Sequence, residues 1–208
     1  MATAHASGGA KVRPSLAPQL APARARPKAR QAPSLRLRPY EALDAGAFAL
    51  AARESFASVN PWLPWCHAGY SESEALEWFR ATEDALKSGA AHEFGVFSSD
   101  GRSFLGAAGL NQINIQHRFC NLGYWVRQSA QRQGVALACV QALVDYAFST
   151  LQLHRVEIVI ALGNHASAGV ARKAGAQFEC VARNRLLIHD APVSASVFSL
   201  VPADEPGR

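Results

Sequence analysis

A chain of 208 residues, 49% of them hydrophobic, can bury one well-filled core, and one domain is the default at this length. No apolar run approaches the roughly 18 residues needed to span a bilayer, which argues against a helical membrane protein. The four cysteines (Cys66, Cys120, Cys139 and Cys180) lie far apart with no C-x-x-C pair, against a zinc ribbon or a disulfide framework and in favour of a reducing, cytoplasmic setting.

The formal charge of +5 is carried by one end. Residues 1–33 hold Lys11, Arg13, Arg24, Arg26, Lys28 and Arg30 with no acidic side chain, leaving 15 basic and 16 acidic residues for the rest. That segment is rich in Ala, Pro and Arg, and Pro14, Pro18, Pro22, Pro27 and Pro33 interrupt any helix. With few large apolar groups to bury it reads as a disordered basic tail. It could attract nucleic acid weakly and without specificity, resemble a transit peptide, or be an upstream extension; no function is assigned to it. Residues 34–203 form the folded domain and 204–208 a short C-terminal tail.

Leu35 and Leu37 alternate with Arg36 and Arg38 within 34–40, the pattern of a half-buried strand ending at Pro39. Glu41 to Phe56 carries Leu43, Phe48, Leu50 and Ala51 at near-helical spacing. NPWLPWCHAGY (60–70) is an aromatic, proline-braced loop, and Ser71 with Glu74 reads as a capping box opening a helix to Gly89. His92 to Ser98 and Ser103 to Asn111 form a hairpin about Ser99-Asp100-Gly101. Cys120 to Arg127 is a strand, Gly134 to Leu151 a long apolar helix, and His154 to Ala161 a β-branched strand. Asn164 to Ala174 is a short helix, and Phe178 to Ile188 and Val193 to Val201 are closing strands. The order β-α-α-β-β-β-α-β-α-β-β describes a mixed α/β sheet with a βαβ unit at its centre.

Between the strand at 120–127 and the helix from Gly134 lies QRQGVA, Gln131 to Ala136. A strand leading through a Gly/Ala-containing turn into a helix aims several N–H groups and the positive end of the helix dipole at one spot, which suits a pyrophosphate. A plain strand–helix turn with a solvated arginine is the other reading.

This order, with QRQGVA in that place, resembles the GNAT acyltransferase superfamily. Gln131, Gly134 and Ala136 fit its Q/R-x-x-G-x-G/A loop, and Asn164, Ser167, Val170, Lys173 and Gly175 fit a second signature, N-x-x-S-x-x-V-x-x-K-x-G. Pro61 to Trp65 (PWLPW) and Leu122 to Val126 (LGYWV) resemble the RimJ/RimL branch, whose known members acetylate protein N-termini. The resemblance covers about residues 34–203 and implies a largely antiparallel sheet flanked by helices, with a splayed βαβ cofactor site.

It implies acetyl-CoA as co-substrate and no metal. Gln131, Arg132, Gln133, Gly134, Val135 and Ala136 would hold the two phosphates. The backbones of Tyr124, Trp125 and Val126 would align the pantetheine arm, with the Asn164 side chain bonding it and Lys173 reaching the nucleotide phosphates. Asn164 as a plain N-cap and Lys173 as a solvated lysine stay open beside these roles. The tyrosine that many members place seven residues after the Asn is replaced by Ala171, and in the RimL-like pattern Ser167 stands as the acid that protonates the departing thiol. The alternative is a first-turn serine bonding its own backbone. Where many relatives carry a Glu two residues before G-Y-W this chain has Asn121, so no base stands out; His92, Glu93, His117 and Glu157 are candidates. Trp62 and Trp65 either line the acceptor cleft or cap the core.

The expected function is acetyl transfer to a primary amine, most plausibly a protein or peptide N-terminus, by direct attack in a ternary complex and without a cysteine nucleophile. An aminoglycoside or polyamine acetyltransferase and a weakened acyl-CoA-binding module are the alternatives. No specific nucleic acid and no membrane are expected as partners, and the chain is expected to be a monomer or homodimer.

Overall fold

The computed structural model describes residues 33–202. Apart from Pro33, the expectations for residues 1–33 and 204–208 lie outside the described residues. Eleven elements follow in the expected order: β1 (Leu35–Arg38), α1 (Ala45–Val59), α2 (Glu72–Ser88), β2 (His92–Ser98), β3 (Phe104–Asn114), β4 (Phe119–Val126), α3 (Val135–Ser149), β5 (Arg155–Ala161), α4 (His165–Lys173), β6 (Gln177–Ile188) and β7 (Ala191–Leu200).

They build one seven-stranded sheet in the order β1-β2-β3-β4-β5-β7-β6. All neighbours are antiparallel except β4 and β5, joined through α3 and parallel. The expected mixed, largely antiparallel sheet with a central βαβ unit is therefore present. Among the described residues no helix is long and apolar enough to cross a membrane.

Strand alternation divides the sheet into two faces. On one, Leu110, Leu122, Val156, Ile158 and Phe198 are buried against Cys139, Val140 and Leu143 of α3. On the other, Phe97, Ala107 and Trp125 join Phe48 and Ala52 of α1 and Phe79 of α2 in a second core. The Phe48 ring touches Trp65, Tyr70, Phe104 and Trp125, so the 60–70 loop is packed into that core.

Local signals fixed most boundaries. Ser71 and Glu74 close the expected capping box reciprocally, and Gly89 ends α2 in the left-handed region at φ 72°. The first helix differs: Ala42–Asp44 is a 3₁₀ turn boxed by Glu41 and Asp44, and α1 runs past Phe56 to Val59, stopping before Pro61. β3 runs past Asn111 to Asn114 because an irregularity, with Gln112 at φ 50°, lets it continue beside β4. β6 and β7 meet at His189 and Asp190, both left-handed (φ 49° and 59°), the geometry of a two-residue hairpin turn.

Candidate active site

The parallel pairing of β4 with β5 covers only Phe119, Cys120 and Asn121 against Arg155, Val156 and Glu157. Beyond Asn121 the strands part, so among the described residues the edge of β4 from Leu122 to Val126 has no ladder partner on that side. An extended polar chain could add to this edge as an extra strand would. Tyr124, Trp125 and Val126, the residues expected to align such an arm, all lie on it.

The edge leads to the turn before α3. Arg132 is left-handed (φ 60°), and Gly134 caps α3 in the same region (φ 88°) with no side-chain cap. The first N–H groups of a helix have no intrahelical partner, so the donors from Gly134 onward face outward where the helix dipole is positive. Arg132, Gln133 and Gly134 are exposed, Ala136 is half-buried and Val135 is buried in the α3 core. The set fits an anion through backbone N–H groups, with the exposed Arg132 unpaired among the described residues.

One feature of this loop was not legible in the sequence: α1 ties it down from below. Arg127 donates to Glu54 through Nε and Nη2, both at 2.5 Å, and Ser129 N donates to the same carboxylate at 2.7 Å. Gln128 N donates to Ser55 Oγ (2.9 Å), and Gln131 Nε2 to Ser58 Oγ (3.1 Å) and Val126 O (3.2 Å). Gln131 therefore braces the loop with its side chain. The Arg127 guanidinium, followed by the Ser129 bonds, holds the Glu54 carboxyl at about 2, well below the usual range.

Across the splay, Asn164 opens α4. Its Oδ1 accepts from Ser167 N at 3.0 Å, so the side chain is an N-cap. The Ser167 hydroxyl turns away from its own helix and stands 2.9 Å from the Tyr124 hydroxyl, which also reaches Ser167 O at 3.2 Å. The sequence offers Tyr124 a backbone role with its side chain as a core aromatic; in the structure its phenol pairs with the candidate acid. Burial raises the Tyr124 pKa, so the phenol stays protonated and able to donate. Ala171 is fully buried. Lys173 is exposed in the last turn of α4, at the opposite end of that helix from Asn164.

On the face of α1 and α2, cross-strand pairing sets residues in rows. Gly95, Ala107 and Trp125 form one row, and Glu93, Gly109 and Gly123 the next. Asn111, Asn121 and Glu157 form the third. Glu93 leans over Gly109, its carboxylate filling the place a Cβ there would take. Asn111 Nδ2 donates to Glu93 Oε1 at 3.0 Å, and Asn121 Nδ2 to Asn111 Oδ1 at 2.9 Å. The buried Asn121 Oδ1 has no partner. Of the other candidate bases, Glu157 is paired with Arg155 (2.9 Å). His92 lies on the opposite face, bonded to the Tyr146 hydroxyl (3.0 Å), and His117 is exposed beside the β3–β4 turn.

Trp65 stacks edge-on against Trp125 at 5.4 Å and keeps 37% of its surface exposed, so it both caps the core and borders the open side. Trp62 sits over Gly163, in the turn that precedes Asn164. His189, at the β6–β7 hairpin tip, bonds the carbonyl of Asn60 at 3.0 Å and closes the rim. Burial pushes the Cys66 thiol up to about 11 and those of Cys120 and Cys139 to about 12, which leaves them un-ionised and poor nucleophiles. Among the described residues no three His, Cys, Asp or Glu side chains are grouped to hold a metal ion.

Residues 34–177 match the family model of the acetyltransferase (GNAT) domain. The uncharacterized N-acetyltransferase YoaA of Bacillus subtilis is 30% identical over 112 residues, covering 54% of this chain and 63% of that protein. The ribosomal protein uS5-alanine N-acetyltransferase of Escherichia coli is 29% identical over 103 residues, 49% of this chain and 53% of that one. The chain thus spans between half and two thirds of the length of these two relatives. The structure of Mycobacterium smegmatis RimJ in complex with CoA-disulfide superposes with a TM-score of 0.75 at 22% identity, covering 81% of this chain and 82% of that chain, a likeness of fold. With its family match running over most of its length, the chain belongs to the GNAT acetyltransferase family.

Proposed function

We propose that this protein is an acetyl-CoA-dependent N-acetyltransferase whose acceptor is the N-terminal α-amine of a protein or peptide. One observation carries the reading: the unpaired edge of β4 runs from the uncapped start of α3 to the Tyr124–Ser167 hydroxyl pair. That is the layout needed to hold a phosphate-bearing thioester at one end and act on its sulfur at the other. The similarity to an uS5-alanine N-acetyltransferase supports the choice of acceptor.

In this reading the co-substrate supplies an acyl thioester, held by the N–H groups from Arg132 to Ala136 and by the edge at Tyr124 to Val126. The Tyr124 and Ser167 hydroxyls donate to the departing thiolate, either one able to face the sulfur while the other backs it. Removing a single such donor typically costs about 10²–10³ in rate. Asn164 fixes Ser167 by capping its N–H. Trp62 and Trp65 border the path of the acceptor. The buried thiols of Cys66, Cys120 and Cys139 favour direct attack by the amine without a cysteine intermediate, and four cysteines without a disulfide fit work in the cytoplasm.

The test is release of free thiol from acetyl-CoA, with a panel of N-terminal peptides set against spermidine and an aminoglycoside. Turnover of peptides, with a large loss in Ser167→Ala and unchanged affinity for coenzyme A, is the expected result. Turnover of the small amines alone would move the acceptor to that class. Tight coenzyme A binding with no turnover of any amine would leave a binding module.

A further inference from the structure

On the face opposite Tyr124 and Ser167, the row Glu93–Gly109–Gly123 ends at the splay. Two adjacent glycines leave this stretch of sheet without side chains of its own. Over Gly109 the space is taken by the Glu93 carboxylate; over Gly123 it is open, the Asn111 amide being the one group within 4 Å of where a Cβ would stand, at 3.8 Å. Trp125, with Trp65 against it, walls the trough on one side, and the Asn111–Asn121 pair walls it on the other. Neighbouring strands lie about 4.8 Å apart. A group resting over Gly123 is therefore one strand from the carboxylate, within reach directly or through one water.

Glu93 is an unusual residue for such a place. Among the described residues no arginine, lysine or histidine bonds it, and the one hydrogen bond it takes is from Asn111 to Oε1. Oε2, the oxygen nearest the Gly109 position, is left to the trough. A carboxylate partly withdrawn from water and without a cation costs stability. The Asn121 amide is oriented by the same chain of bonds. An ionised Glu93 only accepts, so Asn111 must turn its Nδ2 toward it and its Oδ1 toward Asn121. Asn121 Oδ1, at the end of this chain of bonds, is buried and has no hydrogen-bond partner among the described residues.

We propose that Glu93 is the general base of the reaction, receiving a proton from the acceptor ammonium over the floor formed by Gly109 and Gly123. This inference rests on the acetyl-transfer reading. The ammonium gives one proton to Glu93 and becomes a free amine. Its nitrogen bonds the thioester carbonyl carbon as the carbon–sulfur bond breaks. The surplus proton on nitrogen reaches the sulfur by way of the Tyr124–Ser167 hydroxyls, and Glu93 passes its own to solvent. Burial raises the carboxyl above its ordinary range, toward the basicity such a transfer needs. The titratable groups around it do not compete: Tyr40 is held protonated by burial, Glu157 is paired with Arg155, and His92 points to the other face.

The experiment compares wild type, Glu93→Gln and Gly123→Ala, each as the full chain, with an N-terminal peptide and with a peptide hydrazide whose terminal nitrogen is already neutral at pH 7. Glu93→Gln should lower kcat for the amine by about 10²–10⁴, the usual contribution of a positioned base. It should leave coenzyme A affinity intact, hold or raise thermal stability by removing an unpaired charge, and cost the hydrazide far less. Gly123→Ala, whose methyl meets only an ordinary contact, should weaken binding of the peptide to the coenzyme A complex in calorimetry and leave coenzyme A affinity alone. An active wild type matched by Glu93→Gln, or an equal loss for amine and hydrazide, overturns Glu93 as base. A wild type that binds coenzyme A and releases no thiol with any amine overturns the acetyl-transfer reading and the base with it.

Discussion

Replacing Glu54 with Gln removes the charge that anchors the loop before α3 while keeping the shape. The carboxylate takes three N–H groups, two from Arg127 and one from Ser129, and its side chain keeps about a quarter of its surface exposed. Its pKa of about 2 against a reference of 4.5 corresponds to an upper bound of about 3 kcal/mol, at about 1.4 kcal/mol per unit. Solvent screening of a partly exposed pair lowers this to about 1–2 kcal/mol. For a domain of this size that is a fall in Tm of roughly 2–8 °C at pH 7. The sign follows from the depressed pKa: the contribution is fully present above about 4.5 and is lost as pH falls through about 2. More than half of the gap between wild type and Glu54→Gln should have closed by pH 3. The assay is thermal unfolding by circular dichroism at pH 7, 5 and 3, with coenzyme A affinity measured at pH 7, where the freed loop should bind several-fold more weakly. An equal Tm gap at all three pH values would refute an ionic anchor. A full gap with unchanged coenzyme A affinity would show that the anchor serves stability alone.

Gly134→Ala should destabilise by about 1 kcal/mol, the cost of a Cβ in the left-handed region, and crowd Pro33, whose Cδ lies 3.1 Å from the added methyl; it should also raise KM for acetyl-CoA more than it lowers kcat, measured by thiol release under varied acetyl-CoA. Tyr124→Phe and Ser167→Ala should be strongly non-additive, since their hydroxyls lie 2.9 Å apart and act on one sulfur. A double mutant whose kcat loss equals the product of the single losses would show that the two hydroxyls work independently.

The sequence was most legible where local chemistry decides. The Leu35/Leu37 alternation, the Ser71–Glu74 box and the turn at Gly134 all sit where their patterns place them, because each needs only a few neighbouring residues. Asn164 and Ser167 were legible for the same reason, one helical turn apart at the start of α4. What stayed hidden depends on partners far along the chain. Tyr124 and Ser167 are 43 residues apart, and the ties from Glu54 and Ser55 to the β4–α3 loop span 73 to 75. The Glu93–Gly109–Gly123 row requires the register of three strands, and irregularities on both sides of β3 shift that register in ways hydrophobic pattern does not encode. Glu93, His92, His117 and Glu157 were equal candidates in the sequence for that reason; register turns His92 to the other face, and the Arg155 pair sets Glu157 apart.

That register also explains how one strand can serve both ends of the proposed reaction. Gly123 and Tyr124 are consecutive in β4, so their side-chain directions are opposite. The missing side chain of Gly123 opens room on the face of α1 and α2, and the Tyr124 phenol reaches Ser167 on the face of α3. A thioester lying along the open edge of β4 would have an amine approaching from one face and a thiol donor waiting on the other, with the strand itself between the group that takes a proton and the pair that gives one. This separation keeps a carboxylate from accepting a proton directly from the hydroxyl meant for sulfur. It also divides recognition. The acceptor would be judged by what borders the first face, namely Trp62, Trp65 and the hairpin tip at His189, while the co-substrate would be held by the turn at Arg132 to Ala136 and its anchor on Glu54. The two sets share no residue but are joined through α1, whose Glu54, Ser55 and Ser58 brace the turn and whose end at Val59 leads directly into the 60–70 loop, so changes in that loop are best tolerated at Trp62 and Trp65 rather than at its junction with α1.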